Sequence, residues 1–462
     1  MIQTASCSLD TLFNGRVNSK QEDGSLVSFS GRLNVPEYQR PYLWGKRETD
    51  RLLNDLTEYL LQESDERPDY YLGSIILHRK GDSLNIIDGQ QRLTTIALLL
   101  TAINISEVPA IDYSSPSSTQ QIRENYKYLL TRAEEFRPLY WRIREHVNVT
   151  LVVTDREDDA YTFFETQNTD GVRLSGVDII KAYHLRAIKN SCSRSRAAVR
   201  WEKHNELDKV AILLLKARYW NCLRPRSAPG RNQKRAIKNA IVGEFSERTR
   251  KGHLPDVGFV FAKVQSTGSG IQTTLPNVSF AIRQPLNDGE NLVDYMVAFS
   301  NLYSEVLPYK DGEWKDQSYE SFINSIIKPV DGTLFLKELF EISLLCYAHR
   351  FGTEKLYEAA LWLFRCTYEP RLKNPKTVKE VSVPEFLRGY PVVDIILNAF
   401  DHRELMEELK SFKATVNHEN LTGNTVKRRY LQRLTEFFKI SFHLDADAID
   451  PRLKEGIISL IQ

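Results

Sequence analysis

The amino-acid sequence predicts an α+β N-terminal domain followed by a mainly α-helical C-terminal region. Short runs rich in β-branched and aromatic residues, Tyr70–His78, Leu84–Ile87 and Val147–Val153, alternate with helical periodicity in the first part of the chain. From about residue 195 helical spacing dominates, as in Leu334–Tyr347 and Leu356–Tyr368, apart from a Gly/Ser/Thr/Pro-rich stretch around 265–277. The change of character places a boundary near 190–205, giving an N-terminal domain over 1–195 and a helical domain over 196–462.

The elements follow in order. Residues 1–30 are polar and Ser-rich, and read as an edge element or partly ordered arm. Leu33–Trp44 carries Pro36 and Pro41, which disfavour a helix, so the segment is read as extended and running into a turn. Leu52, Leu53, Leu56, Tyr59 and Leu60 fall at helical spacing within Thr49–Leu61. Tyr70–His78 and Leu84–Ile87 read as strands joined by a hairpin turn over Arg79–Asp82, and a helix follows from Gln91 to about Ile105. A Ser/Pro-rich loop, Ser106–Thr119, leads to a charged helical stretch, Gln120–Glu135, and then to the strand Val147–Val153. A helix with an acidic start at Asp158 is broken by Asp170–Gly171. The next begins after Ser175, a plausible N-cap with Asp178 as its capping-box partner.

Bulk properties bound the function. Hydrophobic residues make up 42% and charged residues 26%, ordinary for a soluble globular protein. A net charge of +2 means that any nucleic-acid affinity must come from a local basic face. No apolar run approaches bilayer-spanning length and no secretory signal stands at the N-terminus, so no membrane association is expected. Cys7, Cys192, Cys222, Cys346 and Cys366 are scattered without a CxxC pair, which fits structural thiols in a reducing cytoplasm.

The densest signal is Asn85–Ile96, NIIDGQQRLTTI: an apolar strand, an Asp-Gly turn, three long polar side chains and an apolar helix. Free N–H groups at a helix N-terminus favour an anion, so the junction suggests a phosphate-handling site. Arg92 offers a forked cation to phosphate oxygens, and Gln90 and Gln91 can orient a water. Asp88 can hold a divalent cation or accept a proton. The bland reading is a surface turn and a solvated first helical turn.

Tyr38, Gln39, Arg40, Tyr42 and Trp44 form a second cluster, whose rings either stack on a base or pack in a core. In a third cluster, Phe164–Asn168 with Gly171 and Asp178–Lys181, Glu165 and Asn168 are polar orienters or metal ligands, or the whole is simply a capped helix–turn–helix. A basic run includes Arg218, Arg224, Arg226, Arg231, Lys234, Arg235, Lys238, Arg248, Arg250 and Lys251, and is either a DNA-backbone contact or a solvated face. No GxxxxGK[ST], GxGxxG or HExxH occurs, and His402 and His418 belong to no nuclease-like metal constellation.

VPEYQRPYLW, YYLGSIIL, NIIDGQQRLTT and FFETQNTDGVRLSGVDIIKAY together resemble, in that order, the N-terminal domain of GmrSD-type modification-dependent restriction proteins. The resemblance spans about residues 30–190. It implies a ParB/sulfiredoxin-like fold whose DGQQR motif handles nucleotide: Asp88, Gln90, Gln91 and Arg92 as catalytic residues, with Tyr38, Gln39, Arg40, Gly89, Arg92, Thr94 and Asn168 binding nucleotide. The implied cofactor is a nucleoside triphosphate with a divalent cation, magnesium by expectation, held through Asp88. Arg224, Arg226, Arg231, Lys234 and Arg235 are the expected contacts to DNA, modified or not. The histidine-rich nuclease motif common in the family is missing from this sequence, so a separately encoded partner nuclease is expected. The expected function is an NTP-hydrolysing sensor or regulator in bacterial anti-phage defence. A non-hydrolysing DNA-binding adaptor and a weak DNA nickase using the same site stay open.

Overall fold

In the computed structural model, residues 2–462 are described apart from 15, 21–25, 62–68, 106–107, 109–110, 112, 114–115, 157–158, 160–174, 205, 252–262, 269, 275–279, 309–315 and 443–444. The chain divides into two compact units, Met1–Lys203 and His204–Gln462.

The first unit is built on a mixed five-stranded sheet. Its strands are β1 (Ile2–Ser8), β4 (Arg32–Asn34), β5 (Tyr70–Lys80), β6 (Ser83–Asp88) and β7 (Val147–Thr154), in the order β1-β7-β5-β6-β4. A separate hairpin, β2 (Arg16–Lys20) with β3 (Leu26–Ser30), lies between β1 and β4 in sequence. The first thirty residues thus supply a true edge strand, since β1 pairs antiparallel with β7. β5 and β7 are parallel, and β5 turns back antiparallel into β6 through Gly81, whose φ of +60° suits a tight turn.

Alternation on β7 decides which face is buried. Val147, Val149, Leu151 and Val153 point into the core with Ile75, Leu77 and Ile86, while Asn148, Thr150 and Val152 take the other face. The helices of this unit are α1 (Leu9–Phe13), α2 (Lys46–Leu60), α3 (Gln90–Ala102), α4 (Pro116–Phe136), α5 (Tyr140–His146), α6 (Gly176–Ala187) and α7 (Ser191–Glu202). Leu52, Leu53, Leu56 and Leu60 of α2 and Leu93, Ile96, Leu99 and Leu100 of α3 join the same core. α3 is buried almost all round, so its three threonines satisfy their hydroxyls within the helix: Thr94, Thr95 and Thr101 each donate to the carbonyl four residues earlier. It ends at Ala102, with Asn104 at φ +64° turning the chain, three residues short of the sequence-based limit.

The expected capping box is present at the start of α6. Ser175 Oγ accepts from Asp178 N at 3.1 Å, and Asp178 Oδ2 accepts from Ser175 N at 3.0 Å. The helix expected from Asp158 and the cluster containing Glu165 and Asn168 lie outside the described residues.

In the second unit a central helix, α12 (Leu334–Phe351), is buried on nearly every side. Around it pack α8 (Leu207–Tyr219), α10 (Glu290–Val306), α13 (Leu356–Thr367), α15 (Ser382–Gly389) and α16 (Val392–Asn398). The remaining α-helices among the described residues are α9 (Lys234–Val242), α11 (Gln317–Phe322), α14 (Glu369–Lys373), α17 (His402–Ser411), α18 (Val426–Phe438) and α19 (Ala446–Ile461). The Gly/Ser/Thr-rich stretch forms a hairpin, β8 (Lys263–Thr267) with β9 (Gly270–Thr274). A buried Arg365 fastens α13 to α19 through Asp450, at 2.8 Å from both carboxylate oxygens, and reaches Leu409 O at the end of α17. Among the described residues no helix is long and apolar enough to cross a membrane.

Candidate functional site

Strand β6 delivers Asp88 to the head of α3 through Gly89, which sits at φ +90° as the residue before the first helical turn. A side chain at 89 would overlap Ile75, so glycine is required there twice over. Without a side chain at that position, Gly89 offers the first N–H groups of α3 no capping acceptor. This is the local geometry at which anions bind.

The three polar residues that open α3 have different tasks. Gln91 is buried, and its amide makes three backbone bonds: Oε1 accepts from Leu43 N at 2.9 Å and Trp44 N at 3.1 Å, while Nε2 donates to Pro41 O at 3.1 Å. It fixes the Pro41–Trp44 turn on the helix. Arg92 reaches sideways to β5, donating to Leu72 O at 2.8 Å and Ser74 O at 2.9 Å, with Asp88 Oδ2 at 3.4 Å. Gln90 is 4% exposed, and its Nε2 makes no hydrogen bond among the described residues, although the amide lies beside the Tyr113 hydroxyl, whose pKa burial raises. Asp88 and Arg92 remain about a quarter exposed, at 26% and 25%.

The Arg92 contacts depend on an irregularity in β5. The register against β7 shifts between Tyr71 and Gly73, and Gly73 takes φ +117°. A Cβ at 73 would overlap Arg92 Nη1. The extra residue also breaks the alternation that would send Tyr71 and Ser74 to opposite faces. Their hydroxyls meet at 3.2 Å instead. Tyr71 is exposed, and its phenol is drawn below the ordinary tyrosine range by Ser74 and Thr150, with Arg92 contributing.

The segment 36–44 lies against this junction. Gln39 is buried and donates from Nε2 to Ile87 O at 2.9 Å. Tyr42 is fully buried, its hydroxyl 2.8 Å from both Thr95 Oγ1 and Asn125 Nδ2, and burial raises its pKa. Of the two readings of the aromatic cluster, core packing holds for Tyr42, while Trp44 packs half-buried against the core. Tyr38 is buried and Arg40 partly exposed. From the other side, the buried Lys181 of α6 donates to Gln39 O at 3.0 Å and Glu202 Oε1 at 2.8 Å. Residues 36–44 are therefore held by α3 and α6 together.

Sequence reasoning assigned no role to Tyr71, Gly73 or Tyr113, and placed Lys181 only within the cluster of Phe164–Asn168, where it is a charge at a buried position of the apolar pattern Val177–Ala182. Thr94 is buried beneath Gln90 and beside the Tyr113 hydroxyl. Asn168 lies outside the described residues. Among the described residues no three His, Cys, Asp or Glu side chains converge as metal ligands. The junction offers the single carboxylate of Asp88, already facing Arg92.

The basic run of the second unit splits in two. Arg218, Arg226 and Arg248 all converge on the buried carboxylate of Glu244. Arg226 also covers the Tyr219 ring, 3.9 Å from its centroid. Arg224, Arg231, Lys234 and Arg235 are exposed.

No curated protein matches the chain. Residues 19–185 match the GmrSD restriction endonuclease N-terminal domain, which takes in β6, Gly89 and α3. Residues 193–423, half of the chain, match a family of unknown function (DUF7834). The chain therefore belongs to that family of unknown function through its helical half, and its first part is a domain of the kind found at the N-terminus of GmrSD restriction endonucleases.

Proposed function

We propose that the Asp88–Arg92 junction binds a nucleoside triphosphate and hydrolyses it, making this chain the sensor or regulatory component of a modification-dependent restriction system. The tie to such a system follows from the N-terminal domain itself. The nucleotide reading rests above all on one observation: α3 begins at a left-handed glycine with no capping side chain, leaving first-turn N–H groups for phosphate oxygens.

The side chains divide the work. Asp88 is the partly exposed carboxylate at the junction, placed to accept a proton from an attacking water, and Arg92 keeps a cation beside it. Gln90, with a spare amide N–H, is the glutamine suited to orient that water, since Gln91 and Gln39 are bonded to backbone groups. A divalent cation would come with the phosphates. One carboxylate does not make a protein-held metal cage, so no step is assigned to the metal.

A second reading, a non-hydrolysing adaptor that only senses nucleotide, is favoured by the same economy of bonds: Arg92 is committed to β5, and little beyond Asp88 remains for chemistry. Titration with each of the four common nucleoside triphosphates, followed by phosphate release, separates the two. Saturable binding with release supports hydrolysis, and binding without release supports the adaptor. Absence of binding overturns both.

A further inference from the structure

We infer that the corner between α8 and α9, residues 221–235, is a DNA-contact site in which Leu223 acts as an apolar wedge between cations that grip the backbone. The inference deepens the expected DNA contact and does not rest on the nucleotide reading. It begins from Leu223, 87% exposed at the tip of a turn. A lone exposed leucine is unremarkable on a loose loop, which can fold it away. This turn cannot. Asn221 N donates to Tyr219 O at 2.9 Å, Cys222 N to Asp394 Oδ2 at 2.7 Å and Leu223 N to Asn221 Oδ1 at 3.0 Å. Arg224 N donates to Asn221 O at 3.2 Å, and Arg226 N to Tyr219 O at 3.0 Å. Arg283 holds Trp220 O at 2.6 Å from below. The leucine is presented by a rigid support.

Charge around it runs one way. The carboxylates bonded to this corner are already engaged: the buried Glu244 by Arg218, Arg226 and Arg248; the buried Asp394 by Arg283 and Cys222 N; and the half-buried Glu380 by Arg231 N at 2.6 Å. Outward, Arg224, Arg231, Lys234 and Arg235 are exposed, with no carboxylate bonded to their side chains among the described residues. Lys234 and Arg235 also occupy the first turn of α9, which has no acidic residue, so they oppose the helix dipole. Fold stability gains nothing from that placement, and a polyanion does. An aliphatic side chain carried on the same short segment as exposed arginine and lysine is the combination found in proteins that open a base step from the minor groove. Duplex DNA is accordingly the partner that fits both features, and the match of residues 19–185 to the N-terminal domain of GmrSD restriction endonucleases supplies the context.

The test uses the full chain, a labelled duplex of about 30 base pairs for anisotropy, and the same duplex end-labelled for energy transfer. Affinity should fall with salt. A variant with Arg231→Ala, Lys234→Ala and Arg235→Ala should lose about tenfold or more in affinity and show a shallower salt slope, by roughly 0.9 per lost phosphate contact. Leu223→Ala should keep the salt slope and lose the bend, expected at about 20–90° for a wedge. Thermal melting of each variant at the wild-type temperature establishes that it is folded. Wild-type-like affinity in the triple variant, wild-type-like bending in Leu223→Ala, or binding to vesicles of anionic lipid in place of duplex would each overturn the assignment. Because DNA binding is read without nucleotide, its failure leaves the nucleotide site standing, and the reverse also holds.

Discussion

Arg92 and Gly73 occupy one volume: the guanidinium fills the space a side chain at 73 would take and donates to the carbonyls on either side, Leu72 O and Ser74 O. The strand bulge and the arginine of the DGQQR segment are thus one structural unit. Gly73→Ala is expected to destabilise the first unit by about 1–3 kcal/mol from backbone strain alone. Arg92→Ala is expected to cost about 2–4 kcal/mol by leaving two carbonyls unmet. The double variant should fall short of their sum in urea unfolding, because both remove the same contact. Additive costs would show the two residues to be independent. Lost activity in Arg92→Ala alone consequently says little about chemistry.

Gln91 joins residues 41–44 to α3 through three bonds. In Gln91→Met those bonds vanish while side-chain volume is kept. The Leu43 and Trp44 amides should then exchange with solvent about tenfold faster or more, equivalent to roughly 1–3 kcal/mol of lost protection. Hydrogen exchange at those two amides checks this, and unchanged rates would mean that the turn holds itself.

Burial lowers the pKa of His349 from 6.5 to about 4, with Arg350 adding to the shift. Above 6.5 the imidazole is neutral in both folded and unfolded chains. Between 6.5 and about 4 the unfolded chain binds a proton that the native state refuses, so stability falls as pH drops through that window. The full loss is about 3 kcal/mol, and none is added below the folded value. Urea unfolding across the window should show this slope in wild type and a flatter one in His349→Leu. Equal slopes would assign the acid sensitivity elsewhere.

Arg365 and Asp450 form a largely buried pair with two parallel bonds. Arg365→Met should destabilise the helical unit by about 3–5 kcal/mol, because Asp450 and the Leu409 carbonyl are left behind. Adding Asp450→Leu should recover part of the loss, as measured by thermal melting.

Features governed by neighbours in sequence were legible beforehand. The Ser175–Asp178 box, the strand periodicity of residues 147–153 and the Asp-Gly break ahead of α3 each declare themselves within a few residues. What escaped reading depends on distant partners. Nothing near Arg92 announces that β5 bulges at Gly73, nor that Gln39 will bond to Ile87 O and Gln91 to the Pro41–Trp44 turn. The basic run likewise read as one face, because Glu244, which collects Arg218, Arg226 and Arg248, cannot be seen as their partner until the fold closes.

Phosphate release by wild type and Asp88→Asn, with nucleoside triphosphate and magnesium in excess, bears on the proposed chemistry with the least ambiguity. Asparagine keeps the shape beside Arg92 and replaces the charged proton acceptor with a neutral amide. Wild type is expected to turn over, and Asp88→Asn to bind nucleotide but release phosphate about 100-fold more slowly or worse. Equal release by the two proteins would contradict the account.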